Sequence, residues 1–185
     1  MYLKDLAEVY VGVPIARYKY NENKDAQKFN YQLFSQNMLS DTAIFRNAKA
    51  EIFYANKDLS NSCTKQDDVI FGLRKPNQAI FIADNATDLL VQSYFAVIRC
   101  DKSKVLSEYL AFKLNTVEVH NQLFKNIQGG AIPLVKIQDV KNIKLKLPSL
   151  EQQAKAIEML KTGYQEIDVL RKLIEEKQKI LKVIV

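Results

Sequence analysis

Few residues of this chain have the types and spacing that catalysis would need. Glu175-Glu176-Lys177 matches the acidic-x-Lys signature of nucleases, and Asp67-Asp68 is a carboxylate pair of the kind that can hold a metal. Each also has a structural reading. The first lies in the charged stripe of a long helical segment, and the second ends a polar run before the apolar residues VIFGL. His120 is the single histidine, and what surrounds it supplies neither a triad nor a His-based metal site. No G-x-S-x-G, Walker lysine loop, G-x-G-x-x-G or H-E-x-x-H occurs. Nor is there the Asn-Pro-Pro or Asp-Pro-Pro element of an amino-methyltransferase. These residues argue for binding without catalysis, with no metal and no cofactor held by this chain.

Charge suggests what is bound. The formal net charge is +6, from 27 Lys and Arg against 21 Asp and Glu. Twenty of the basic and fifteen of the acidic residues precede position 150, so the body is basic while the remainder is nearly neutral. An excess of this kind favours a polyanionic partner such as nucleic acid. With 185 residues the chain can build one core and an extension, but hardly two full domains. Cys63 and Cys100 lack paired spacing and read as reduced structural thiols. No secretory leader precedes them, and no apolar run approaches the roughly 18 residues of a membrane span, so a soluble cytoplasmic protein is expected.

The elements that must position these residues alternate between strand and helix periods. LKDLAEVYVGVPIARYKY reads as a short amphipathic turn, a strand around Val9 to Val11, and a turn at Gly12 and Pro14 leading to Arg17, Tyr18, Lys19 and Tyr20. Residues 21–30 read as an exposed loop, and AIF at 43–45 and EIFYA at 51–55 as strands. Val69 to Leu73 and Ala79 to Ala83 form a hairpin around RKPNQ, with Pro76 and Asn77 as turn residues, and SYFAVIRC at 93–100 is a third extended piece. Leu110, Leu114, Val117, Leu123 and Ile127 follow helical spacing with a break near Asn115 and Thr116, ended by Gly129-Gly130. After the glycines come short extended segments around a turn at 138–141. Leu145 and Leu147, alternating with Lys144 and Lys146, mark a strand at 143–147.

The period changes after Pro148. Ser149 and Gln152 form an S-x-x-Q capping box, and the helix that follows can run about 36 residues, roughly 54 Å. Ile157, Leu160, Tyr164 and Ile167 keep a 3-4-3 seam; Leu170 slips it before Ile174, Leu181 and Ile184 resume, and Leu173 and Ile180 widen it. A helix this long exceeds what a small body needs for its own core. Packing against another long helix is the preferred reading, and folding back on the body the alternative.

Taken in order, these pieces resemble the specificity (S) subunits of type I restriction-modification systems. G-G-A-I-P-x-x-x-x-x-D-V-x-x-I-x-L-x-L-P-S-L-E-Q-Q, residues 129–153, resembles the end of a target-recognition domain and its entry into the long conserved helix. LKDLAEVYVGVPIAR resembles the family's opening segment, DDVIFGLRKP its strand ending in Arg, and SEYLAFKLNT its Y-L-x-x-x-L-N helix. The resemblance implies an α+β fold. A mixed small-sheet target-recognition domain over 1–148 would be followed by one long coiled-coil helix over 149–185.

Such subunits usually carry two recognition domains and two helices. This chain therefore looks like a half-subunit, or a fragment, that would restore the arrangement as a homodimer paired through Ile157, Leu160, Ile167, Leu170, Ile174 and Leu181. The implied partners are double-stranded DNA, a methyltransferase subunit that binds S-adenosylmethionine, and a restriction subunit, with Glu151 and Gln152 at a docking surface. Within the body, the residues best suited to reach DNA are Arg74 and Lys75 at the hairpin tip, then Arg17 and Lys19 beside Tyr18 and Tyr20, then Arg46. Gln128, Gly129, Gly130 and Lys136 frame a loop whose backbone N–H groups can approach a phosphate or base edge. The plainer reading of each is a solvated charge or, for the glycines, a helix cap. A noncatalytic dimeric coiled-coil adaptor with no specific DNA target is the competing function.

Overall fold

The computed structural model describes residues 1–125 and 134–184. Seven strands run in chain order: β1 Ala7–Val11, β2 Phe29–Leu33, β3 Ile52–Ala55, β4 Asp68–Gly72, β5 Ala79–Phe81, β6 Leu89–Leu90 and β7 Phe95–Cys100. Four α-helices accompany them: α1 Ser107–Leu114, α2 Val117–Phe124, α3 Ile137–Lys141 and α4 Leu150–Ile184. The fold is mixed α+β with two small sheets and one long C-terminal helix. The chain divides into two compact units, Met1–Leu147 and Pro148–Val185.

In the first unit, four strands form an antiparallel sheet in the order β1-β7-β4-β5. Every residue of β4 is buried, as is Phe95 to Ile98 of β7. An unbroken apolar run is what a central strand covered on both faces requires. Ile70, Ile80, Val97 and Phe95 join Phe34, Met38 and Leu39 in the larger core, where Phe34 meets Phe95 edge to face at 4.8 Å. Asp68 is buried at the start of β4 because Arg99, opposite it on β7, donates to it from Nε at 3.0 Å and Nη2 at 3.4 Å. A charge is retained inside a protein when such pairing offsets its lost hydration.

The second sheet has the order β3-β2-β6, with β2 antiparallel to β3 and parallel to β6. It closes over a smaller core of Leu33, Ala55, Leu59, Cys63 and Leu90. Gly12 lets the two regions approach: its N–H bonds Phe95 O, and a Cβ there would lie 2.4 Å from the carbonyl oxygens of both Val91 and Gln92. α1 packs on β4 and β5. The helical period breaks at Asn115, whose carboxamide donates to Ala79 O at 2.8 Å and accepts from Ala79 N–H at 2.7 Å.

Several local expectations differ from the structure. The exposed loop over 21–30 gives way to β2 at Phe29, because Phe29, Tyr31 and Leu33 alternate into the smaller core. AIF at 43–45 is no strand: Ala43 has φ 58°, which leaves Ile44 with a single bridge to Phe81. The turn expected at 138–141 is instead α3, Ile137–Lys141, with Lys136 N–H bonded to Asp139 Oδ2 at 3.3 Å. Residues 143–147 keep the expected burial alternation but form no strand. Ile143 N–H bonds Val140 O at 3.2 Å, the backbone also bonds residues 1–3, and the Gln122 carboxamide accepts from Lys144 N–H at 2.8 Å and donates to Lys144 O at 3.0 Å. The glycine end at 129–130 lies outside the described residues.

The second unit is α4. Ser149 N–H bonds Gln152 Oε1 at 3.1 Å and Gln152 N–H bonds Ser149 Oγ at 3.3 Å, the reciprocal capping box. Pairs one turn apart, Lys155 with Glu151 and Lys172 with Asp168, line its solvated side.

Candidate DNA-reading surfaces

The β4–β5 hairpin tip is held from several directions. Asn77 is buried at φ 47°, a left-handed conformation that asparagine tolerates, and its Nδ2 donates to Gly72 O at 3.0 Å while its N–H bonds Arg74 O at 2.9 Å. The Lys75–Pro76 peptide is cis. Arg74 and Lys75 are both exposed. The Arg74 guanidinium lies over the Tyr94 ring at 5.3 Å, and burial pushes the Tyr94 hydroxyl pKa up against the opposing pull of that positive charge.

Two other predicted residues are brought to this end of the sheet. Val135 N–H bonds Leu73 O at 2.9 Å, which sets exposed Lys136 next to the tip. The Gln36 carboxamide donates to Lys75 O, and Arg46 N–H bonds Met38 O in the same 36–38 turn. Arg46 also faces Asp41 at 3.7 Å, an exposed pairing of small consequence. Gln128, Gly129 and Gly130 lie outside the described residues.

Arg17 and Lys19 belong to a different region. Residues 18–20 run along the edge of β3 through Tyr20 N–H to Tyr54 O and Asn56 N–H to Tyr18 O, each 2.9 Å. Here a groove of about 640 Å³ is lined by Lys19, Tyr20, Lys28, Ile52 and Tyr54, with Glu22 and Glu51 among them. Lys28 Nζ sits 4.1 Å from the Tyr54 ring centre and 5.3 Å from that of Tyr20, a cation held between two aromatic faces.

The outward side chains of β2 and β3 are Asn30, Gln32, Ile52 and Tyr54, with Asn30 opposite Tyr54 and Gln32 opposite Ile52. None of these, nor Lys28, stood out from the sequence. Their signal is the alternation in FNYQL, which the preceding polar run obscures.

On α4, Ile157 is buried, at 8% exposure, whereas Leu160, Ile167, Leu170, Leu173, Ile174 and Leu181 are all exposed. Tyr164 of the same seam is half-buried.

The acidic pairs have structural partners. Asp68 is taken by Arg99 and by Lys65 N–H, and Asp67 by Lys102. Glu175 and Glu176 lie on the exposed surface of α4. Among the described residues no three His, Cys, Asp or Glu side chains converge, and no helix is long and apolar enough to cross a membrane.

Two small sheets joined in sequence to one long helix are the elements that carry these residues. The chain belongs to the family of type I restriction modification DNA specificity domains, whose model it matches over residues 1–178. Its fold is that of the HsdS subunit from Thermoanaerobacter tengcongensis, with a TM-score of 0.70 at 20% identity over 100% of this chain and 46% of that one. A second solved chain matches with a TM-score of 0.70 at 19% identity, over 97% of this chain and 45% of its own. It comes from a structure titled for complex assembly and conformational transition of the type I R-M system. This chain spans about half the length of those it matches. No curated protein sequence matches it significantly.

Proposed function

We propose that this chain reads one half of a bipartite DNA site for a type I restriction-modification complex, and that two copies pair through α4 to present two reading bodies. The observation that carries the reading is the family match over residues 1–178, which takes in both the sheets and most of the helix. Two further facts support the pairing. The solved chains of this fold are about twice as long, and Leu160, Ile167, Leu170, Leu173, Ile174 and Leu181 of α4 are exposed. A symmetric pair would direct methyltransferase and endonuclease subunits to a site made of two inverted half-sites, the helices setting the spacing between them. Residues 1–148 act as the recognition domain and 149–185 as the spacing and pairing helix. Arg74, Lys75 and Lys136 at the hairpin end contact phosphates or bases, with Arg46 flanking and Arg17 and Lys19 at the β3 edge. The chain acts in the cytoplasm, where the DNA is.

Selection of bound duplexes from a random-sequence library tests this. The expected product is a motif of two inverted half-sites with a fixed gap, bound with an affinity that falls steeply as salt rises because phosphate contacts release counterions. Binding that is absent or insensitive to salt, with assembly intact, would instead describe the coiled-coil adaptor.

A further inference from the structure

The strongest unassigned feature is the outward face of the β2–β3 pair. Phe29, Tyr31, Leu33, Phe53 and Ala55 turn into the smaller core, so period-two geometry turns the residues between them outward. Asn30 and Gln32 are exposed, and neither carboxamide hydrogen-bonds another described residue. Ile52 and Tyr54 are large apolar side chains left exposed directly across from them.

We infer that this face reads base edges in the DNA major groove, with Asn30 and Gln32 recognising adenines and Ile52 resting on a thymine methyl group. The inference rests on the proposed function and gives it specificity-determining residues beyond those of the hairpin tip.

The groove beside β3 shares Ile52 and Tyr54 with this face, and in it Lys19 and Lys28 are balanced by Glu22 and Glu51. What the sheet face offers is two carboxamides, each able to donate to N7-side acceptors and accept from amino groups in the bidentate manner adenine presents at N6 and N7. An apolar side chain beside them suits the thymine methyl of the same or the next pair. The body carrying the face is basic, with twenty Lys and Arg against fifteen Asp and Glu before residue 150, which complements a duplex.

The spacing also fits. Side chains two residues apart on one strand stand about 6.8 Å apart, and bases along one DNA strand are spaced by about 3.4 Å. Asn30 and Gln32 therefore address bases about two steps apart, with the contact from Ile52 beside the one read by Gln32.

The test repeats the duplex selection with the full chain, its Asn30→Ala and Gln32→Ala variants, and Gln32→Glu, each checked for an unchanged circular dichroism melt. The expected wild-type half-site contains two adenine preferences about two positions apart. Each alanine variant lowers one of them by about tenfold, the scale of a lost bidentate contact, and leaves the other. Gln32→Glu moves its preference from adenine toward cytosine, whose amino group a carboxylate accepts from. Folded variants that select the wild-type motif unchanged, or that lose affinity equally for all sequences, overturn this inference and leave the proposed function standing. A wild-type chain that selects no motif overturns both.

Discussion

Self-pairing through α4 makes a prediction whose size follows from the structure. Ile167, Leu170, Leu173, Ile174 and Leu181 are 42%, 57%, 52%, 56% and 63% exposed. Full burial of such a side chain is worth about 1.5 to 3 kcal/mol, so covering the exposed half of each contributes about 1 kcal/mol. Five residues on each of two helices give about 10 kcal/mol, of the order needed to offset the cost of association. Changing Ile167 and Ile174 together to Glu alters four positions in a symmetric pair. The apolar loss alone is about 4 kcal/mol, or roughly a thousandfold in the dissociation constant, before any cost of pressing carboxylates onto an apolar seam. Glu favours helix at least as well as Ile, so the helical circular dichroism signal stays as it is. Light scattering over a dilution series should give twice the 21.3 kDa chain mass for the wild type and the single mass for the variant. A wild-type mass of one chain at every concentration, or a variant that remains paired, refutes the assignment of this face to a second copy.

Three other predictions probe the body. Gly12→Ala forces a Cβ against the Val91 and Gln92 backbone, where nothing flexible can yield, and should lower unfolding free energy by about 2 to 3 kcal/mol in a denaturant titration. Burial, with smaller contributions from the charges of Asp88 and Asp58, pushes the Cys63 thiol up to about 11; a thiol-reactive dye at pH 8 should label it slowly until the chain is unfolded. The Asp101 carboxyl is held at about 2 by the Ser103 hydroxyl, Lys104 and the Ser103 N–H. A depressed carboxyl stabilises the fold above its ordinary range near 4 and loses that effect as pH falls through about 2. An NMR titration should place its midpoint there, and Ser103→Ala should move it back toward the ordinary value.

What was legible from sequence is what local chemistry decides. The β4–β5 hairpin shows itself because Pro76 and Asn77 mark the turn between two apolar runs. The α1–α2 break shows itself because Asn115 interrupts the helical spacing, although its fork onto Ala79 is a tertiary fact no local pattern contains. The long helix follows from Ser149, Gln152 and the charged periodic run after them. Two of the failures share a cause, a segment defined by a distant partner. Residues 143–147 alternate like a strand, yet their partners are the first residues of the chain and one glutamine of α2. β2 does not stand out because its aromatic-polar alternation spans only five residues after a long polar loop, and its partners on β3 lie 20 to 26 positions away. Losing β2 also hid Asn30 and Gln32. The basic residues were visible individually, but not that Arg74, Lys75 and Lys136 gather at one end of a sheet while Arg17 and Lys19 lie along the edge of another.

That separation has a consequence for how such a domain could change its target. Phosphate contacts position a protein on DNA without distinguishing bases, whereas base contacts distinguish them. Arg74 and Lys75 stand on a turn held by the bond from Asn77 to Gly72 O, so altering that turn risks the fold. On β2 the two requirements fall on alternate residues. Phe29, Tyr31 and Leu33 build the smaller core, while Asn30 and Gln32 are exposed. A substitution in the outward row therefore leaves the inward row unchanged, and surface replacements of this kind usually shift stability by no more than about 0.5 kcal/mol. A strand that buries one row and presents the other is thus the place where DNA specificity can change while the scaffold stays intact.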